Sequence, residues 1–535
     1  MVEGKQRKMT RRDLFALIGA AASSDVMYQA MTALGHAAES NFRRPELGGD
    51  AKGASVLVLG AGLAGMTAAY ELRKAGYKVE VLEYSGRAGG RCWTLRGGDH
   101  YRELGGAEQV CAFDDQLYFN PGPWRIPFHH HGLLDYCKRF NVRLEPFLQV
   151  NHNAYIHANA AFDGQPQRYR HIQADFTGHV AELLAKATDQ DKLGNLVSTE
   201  DREALLESLR EWGALDRDYR YRRGDSAGGR RGYAKAPGGG LDGAPVHAEP
   251  IGLRDILKGR LWNGLLNGGN YDFLTTMFQP VGGMDMIAKA FEREVGDLIT
   301  FNAKVTAIDQ DDQGVSVHYT ATGPNPISLH KRANWCICTI PLSILSQLDL
   351  TVSAKMRTAI DAVPYMPAIK IGLQMKRRFW EEDEAIYGGV TYTDLPIRQI
   401  GYPCSDYGSS GKGVLLGAYA ISNTYAFEFG ALPPAERIRK ALEWGKAIHP
   451  QYDTEYENGI AVSWQRNPST LGCFGYWSPD ARKQYYQDLC AIEGRLVLAG
   501  EHASYIPAWQ EGAILSAIDA VKRLHNRVLG KGEGR

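Results

Sequence analysis

Across its 535 residues the sequence has no excess of either charge: Lys and Arg together number 61, and so do Asp and Glu. A protein that grips nucleic acid or an acidic surface electrostatically needs a basic footprint, so that class of partner has no support and a small molecule is expected. Cysteine is sparse as well. Eight thiols lie scattered without C-x-x-C or His–Cys metal spacing, which suits small core hydrophobes better than a disulfide frame or a zinc site. His129, His130 and His131 are consecutive, and consecutive residues share no face of a helix or strand, so they read as a loop and helix start with no metal. No stretch reaches the roughly 20 apolar residues that a membrane-spanning helix requires. The length exceeds one typical core, which predicts two or three domains.

What the chain does have is glycine, 60 residues of it, and one group stands where chemistry needs it. The apolar run Ser55–Leu59 has the length and β-branched content of a buried parallel strand, and Gly60 ends it in a tight turn. Gly62 lets a backbone approach a pyrophosphate, and Gly65 lets the following helix lie against the strand. Leu63 and Ala64 complete the turn, and Met66–Lys74 reads as a helix whose free N–H groups face the phosphates. A second strand, Lys78–Glu83, comes next, and Glu83 stands where a carboxylate accepts hydrogen bonds from an adenosine ribose. A packing turn with a solvated glutamate is the alternative. Strand, turn, helix, strand and acid in one order favour a dinucleotide site.

The continuation Glu83-Tyr-Ser-Gly-Arg87-Ala-Gly89-Gly90-Arg91 resembles the flavin amine oxidases, which extend this fingerprint in a way that NAD dehydrogenases do not. The resemblance implies FAD, with Gly90 close to the pyrophosphate and Arg91 forking onto it; Arg87 either does the same or faces solvent. The turn Glu103-Leu-Gly105-Gly106 is similar to one that runs beneath the flavin ring in that family. Gln279-Pro-Val-Gly-Gly-Met-Asp285 resembles a further family turn leading into a helix, Met286–Val295. By the same likeness Val305 presents its backbone to adenine, and Trp464 lies beside the flavin. Gly500 ends a strand and Glu501 holds ribityl hydroxyls. The helix from Gly512, with Ala513 and Ile514, brings its N-terminal amides to the electron-rich edge of the flavin. The stretch Ser504–Pro507 lacks the cysteine that carries FAD covalently in monoamine oxidases, so noncovalent FAD is expected.

Three further segments narrow the resemblance to the L-amino acid oxidases. Asn120-Pro-Gly-Pro-Trp-Arg125-Ile-Pro127 resembles their G-P-x-R-x-P segment, whose arginine takes the substrate's α-carboxylate. The physical fit is sound, because a carboxylate carried into an apolar pocket needs a planar, permanently charged, bidentate partner. Tyr402, in Asp394-Leu-Pro-Ile-Arg-Gln-Ile-Gly-Tyr402-Pro403, resembles the tyrosine that donates to the same carboxylate, and Trp509 the aromatic residue that walls the amine. In Ala368–Met375, alternation places Lys370 on one face with Ala368, Gly372 and Gln374. A lysine in an otherwise apolar strand is costly without a partner. It resembles the lysine that holds a water against flavin N5; an edge-strand lysine reaching solvent is the alternative.

The expected fold class is α/β (α+β), with a Rossmann-like FAD-binding domain from 51–110, 275–345 and 455–530. A mixed-sheet substrate domain comes from 111–150 and 346–454, and a helical domain from 151–274 carries a Gly/Arg-rich solvated lid or hairpin loop at 222–245. Residues 1–50 form a leader or arm. Lys5 to Ala22, with Arg11-Arg12, resembles a twin-arginine export signal; a retained amphipathic helix is the other reading, so location stays open between periplasm or secretion and cytoplasm. The activity implied is FAD-dependent oxidative deamination of L-amino acids with O2 as acceptor, and a dimer is expected by the same resemblance. The alternatives are an L-amino acid 2-monooxygenase, a monoamine or polyamine oxidase, and a noncatalytic flavoprotein.

Overall fold

The computed structural model describes residues 42–530 except 52, 191, 194, 195, 324 and 422. The twin-arginine-like stretch lies outside the described residues. The chain divides at Pro45, and the unit that begins at Glu46 holds every element named below.

Strand β1 (Ser55–Leu59) enters helix α1 (Leu63–Lys74) through the glycine turn, and β2 (Lys78–Leu82) returns parallel to β1. Two later segments, β3 (Ile299–Thr300) and β4 (Trp335–Cys338), join in parallel, β3 beside β2 and β4 beside β1. Leu496–Leu498 lies next to β4, and a short antiparallel strand, Ile492–Glu493, closes a six-stranded sheet. Alternation divides its side chains between two layers. Leu57, Leu59 and Leu82 pack with Val305, Ile308, Val315 and Val317 of a four-stranded sheet. Each such buried side chain contributes about 1.5–3 kcal/mol of transfer free energy. The other layer is helical, with α1 against Gln510–Val528. That approach explains Gly65: a Cβ there would lie 1.9 Å from the Gly60 carbonyl oxygen.

The second sheet has seven strands. At its heart is β5 (Ala368–Met375), antiparallel on one side to β6 (Gly413–Ile421) and on the other to β7 (Tyr456–Ser463). All eight β5 residues are buried, so Lys370 occupies an interior strand rather than an edge. Alternate β5 positions fasten the segment 114–122. Gln374 accepts the Asp114 N–H at 2.9 Å, Gly372 lies under the Phe119 ring, and Lys370 Nζ donates to the carbonyls of Gly122 and Asn120.

Residues 151–274 contain the long helices Tyr169–Asp189 and Thr199–Gly213. The Gly/Arg-rich stretch is more ordered than a solvated loop. It holds a helix, Asp225–Arg231, and a hairpin pairing Tyr233–Lys235 with Val246–His247. The cause is a buried carboxylate: Asp175 accepts from Arg231 Nε at 2.9 Å, from the Tyr221 hydroxyl at 2.7 Å and from the Ile251 N–H at 2.8 Å. No helix among the described residues is long and apolar enough to cross a membrane.

Candidate active site

A cleft of about 570 Å3 runs from the C-terminal ends of β1 and β4 to the face of β5. Carboxyl ends of parallel strands are where open α/β sheets take their ligands. At this end Gly60, Gly62, Leu63 and Ala64 line the wall. Gly60 has φ +97°, and a Cβ on Gly62 would meet nothing within 4 Å, which leaves the α1 N-terminus open to an anion. Glu83 lines the cleft and accepts the N–H groups of Ala61 at 2.6 Å and Ser85 at 2.8 Å. Val305 faces the same space from the strand Ala303–Asp311.

Midway along, Gly90, Arg91, Trp464, Gly500, Glu501 and Ala513 form the walls. Arg91 donates to Glu501 at 2.6 Å and to the Cys473 carbonyl at 2.9 Å. Glu501 also accepts the Gly475 and Ala508 N–H groups. Burial alone would raise this carboxyl, but Arg91 and the Ala508 N–H hold it below the ordinary range. The donor set fits a dinucleotide: a helix N-terminus and a partly buried arginine for phosphates, a buried acid for a ribose.

Four residues singled out from the sequence sit behind these walls. Gly65 packs α1 onto the Gly60 turn. Arg87 stacks on Trp93 at 4.6 Å and donates to the Gly90 carbonyl at 2.9 Å, so it supports the phosphate loop from behind. Gly106, at φ +89°, shapes a turn whose Leu104 reaches the cleft, and Ile514 faces the core beside Ala513.

At the far end Arg125, Lys370 and Trp509 converge. The Arg125 guanidinium lies 4.3 Å from the Phe273 ring, 5.1 Å from Trp124 and 5.9 Å from Trp509. It is buried, and its Nε and Nη1 have no hydrogen-bond partner. Burial among rings pulls its pKa below the ordinary arginine value. Lys370 is equally enclosed, 4.4 Å from the Tyr419 ring and 5.3 Å from Trp124. Desolvation lowers its pKa to about 7.

Tyr402 is not here. Its hydroxyl is hydrogen-bonded to Thr391 at 2.8 Å and to His449 Nε2 at 2.7 Å, and His449 Nδ1 in turn meets Glu384 at 2.9 Å. Successive side chains of a strand point to opposite faces, and the residue turned toward Trp124 is Gly401. The tyrosine beside Lys370 in the cleft is Tyr419, opposite it in the β5–β6 register. Sequence reasoning passed over it, along with Trp124, Asp272 and Phe273. Alternation along β6 carries a signal for Tyr419; Phe273 comes from a short turn, Tyr271–Phe273, in the helical insertion and carries none. The histidines diverge: His129 stacks on Tyr271, His130 meets the Trp509 ring edge-on at 5.0 Å, and His131 opens a helix.

The sequence matches the family described as flavin containing amine oxidoreductase over residues 63–525. It is 30% identical to the protein YobN of Bacillus subtilis (strain 168), across 86% of this chain and 93% of that one. It is 26% identical to an L-amino-acid oxidase of Siganus canaliculatus (89% and 86%) and 28% identical to one of Crotalus adamanteus (87% and 86%). Among solved structures, a putrescine oxidase variant superposes with a TM-score of 0.58 at 16% identity, and the cyclohexylamine oxidase from Brevibacterium oxydans IH-35A with 0.57 at 15%. Each covers 89% of this chain and 99% of its own, which shows the shared fold. With its nucleotide cradle and enclosed cationic end, the chain belongs to the flavin-containing amine oxidoreductase family, and its cofactor is FAD.

Proposed function

We propose that this enzyme oxidises L-amino acids at Cα, giving the 2-oxo acid, ammonia and hydrogen peroxide. Arg125 carries the reading: it is a guanidinium buried among aromatic rings with two of its nitrogens unpaired. A buried cation of this kind is costly unless a ligand completes it, and a carboxylate matches its forked donors. An amine without a carboxylate would leave it unpaired. The relatives named L-amino-acid oxidases support the same reading.

In this proposal Arg125 takes the α-carboxylate, and the Tyr419 hydroxyl, facing the same space, supplies a second donor. Trp509 bounds the amine, and the aromatic walls keep water from the reacting carbon. Holding Cα in one pose converts binding into orientation, which supplies much of the rate. Lys370 holds a water at the inner end of the cleft. FAD would be held noncovalently by the α1 N-terminus, Glu83, Arg91 and Glu501, and when bound would supply the acceptor for the Cα hydride and the electrons for dioxygen. The imino acid then hydrolyses in water. Dimerisation is part of the same proposal and is checked by light scattering.

The test is anaerobic mixing of the holoprotein with L-amino acids, D-amino acids and simple amines, following flavin bleaching, beside Arg125→Met. We expect bleaching by L-forms alone. Removing one partner of a buried charge pair costs about 3–5 kcal/mol, which corresponds to a fall of roughly 10²- to 4 × 10³-fold in kcat/KM for the variant. Equal bleaching by simple amines, or an unaltered Arg125→Met enzyme, would sink the amino acid reading in favour of an amine oxidase. An amide in place of the 2-oxo acid would identify the monooxygenase, and failure of every substrate to bleach a noncatalytic flavoprotein.

A further inference from the structure

A second cavity, of about 100 Å3, lies on the far side of Trp124 from the main cleft. Trp124 borders both. Phe119, Phe147 and Leu416 wall the second cavity about Trp124, with the polar Asn120, Gln279 and Arg378 also in its lining, and Gln116 and Asp406, which are exposed, border it as well. It therefore leads from solvent to the back of the active-site wall. Its inner end is also next to Lys370, because Lys370 Nζ donates to the carbonyl of Asn120, another residue of the cavity lining.

We propose that this cavity is the path by which dioxygen reaches the reduced cofactor, with Trp124 as its inner gate. The inference rests on the oxidase reading above. Two features of Trp124 suit a gate. Its indole Nε1 is buried without a hydrogen-bond partner, so no hydrogen bond fixes the ring. The neighbouring strand position is Gly401, where a Cβ would lie 2.4 Å from the indole, so the ring occupies room that any other residue would take. The size points to the same occupant. A water needs only about 10–15 Å3 of such space, so about 100 Å3 admits a diatomic gas in a passage far smaller than the main cleft of about 570 Å3. An enclosed amino acid blocks the main cleft, while a small apolar molecule partitions against the apolar walls of a side passage without displacing it. On arrival dioxygen would take two electrons and one proton from the reduced cofactor and a second proton from solvent water. Two O–H bonds form, hydrogen peroxide leaves, and the cofactor returns to its oxidised state.

The experiment separates this route from the substrate chemistry. Holoenzyme reduced by light rather than by substrate is mixed with dioxygen, and the second-order rate of reoxidation is measured for wild type and for Val414→Phe. Val414 lines the second cavity and not the main cleft. Crystals under xenon report independently whether an apolar gas occupies the passage. We expect a xenon peak in the wild-type cavity, lost in Val414→Phe, and reoxidation slowed roughly tenfold, about 1.4 kcal/mol in the barrier. Anaerobic bleaching by substrate should be unchanged. If Val414→Phe does not fold, Val414→Leu gives a smaller effect of the same sign. Unchanged reoxidation in a variant that has lost the xenon peak overturns the proposal, as does a wild-type cavity that takes no xenon. Failure of every L-amino acid to bleach the flavin would sink the function reading while leaving the light-reduced measurement intact.

Discussion

Lys370 and Arg125 are two cations placed where water is scarce, and each answers that cost differently. Arginine cannot lose its proton, so Arg125 keeps its charge, and the function proposed above gives it a carboxylate. Lysine can, and burial has already brought the Lys370 pKa from 10.5 to about 7. The consequence for stability has a definite sign. Below about pH 7 the folded protein bears the full cost of the buried ammonium; between about 7 and 10.5 the unfolded chain holds a proton that the folded one has released, so stability rises with pH. Denaturant unfolding from pH 6 to 10 should show this rise in wild type and a flatter profile in Lys370→Met. A parallel pair of profiles would rule out Lys370 as its source. Parity also decides Tyr402. Its place before Pro403 is visible in the sequence, but the face it presents depends on strand register, and register turns it to His449 and Thr391. Tyr419 gains its place through pairing with a distant strand.

Strand β5 shows how an element can be readable while its purpose is not. Its apolar run and the alternation of Lys370 with Gly372 and Gln374 predict a strand, and β1 with α1 is equally legible, because period and glycine placement are local properties. That three alternate positions, two by hydrogen bonds and Gly372 by making room for Phe119, hold down residues 114–122 is a long-range fact. So is the ordering of the Gly/Arg-rich stretch, which depends on Asp175 fifty residues or more away. Gly372 makes the fastening testable. A Cβ there would lie 2.6 Å from the Phe119 ring, so Gly372→Ala overpacks the contact. Overpacking costs about 1–3 kcal/mol, and thermal melting should report it, together with weaker substrate binding as Arg125 shifts. A variant that melts like wild type would show that the Phe119 ring moves aside freely.

Across the whole molecule, regions far apart in sequence are tied by a buried ion pair. Glu103 accepts from Arg437 Nη2 at 2.8 Å, with both side chains almost wholly enclosed. Glu103→Ala strands the guanidinium, and breaking one side of such a pair costs about 3–5 kcal/mol. A fall of that size in denaturant unfolding is expected, and a change within a few tenths of a kcal/mol would show that water reaches Arg437 once the acid is gone. The seven-stranded sheet also carries a further consequence, through the fastening of 114–122 to β5. Arg125 comes shortly after that segment, so its guanidinium is measured off against a rigid ruler of contacts to the strand. Phe273 and Asp272, which complete the wall, come instead from a short turn in the insertion. The surroundings of the Arg125 guanidinium are thus assembled from two separate pieces of chain, one fastened to the sheet and one carried by the insertion. Diversity confined to residues 270–274 would then change how tightly the guanidinium is enclosed while the ruler stays in place.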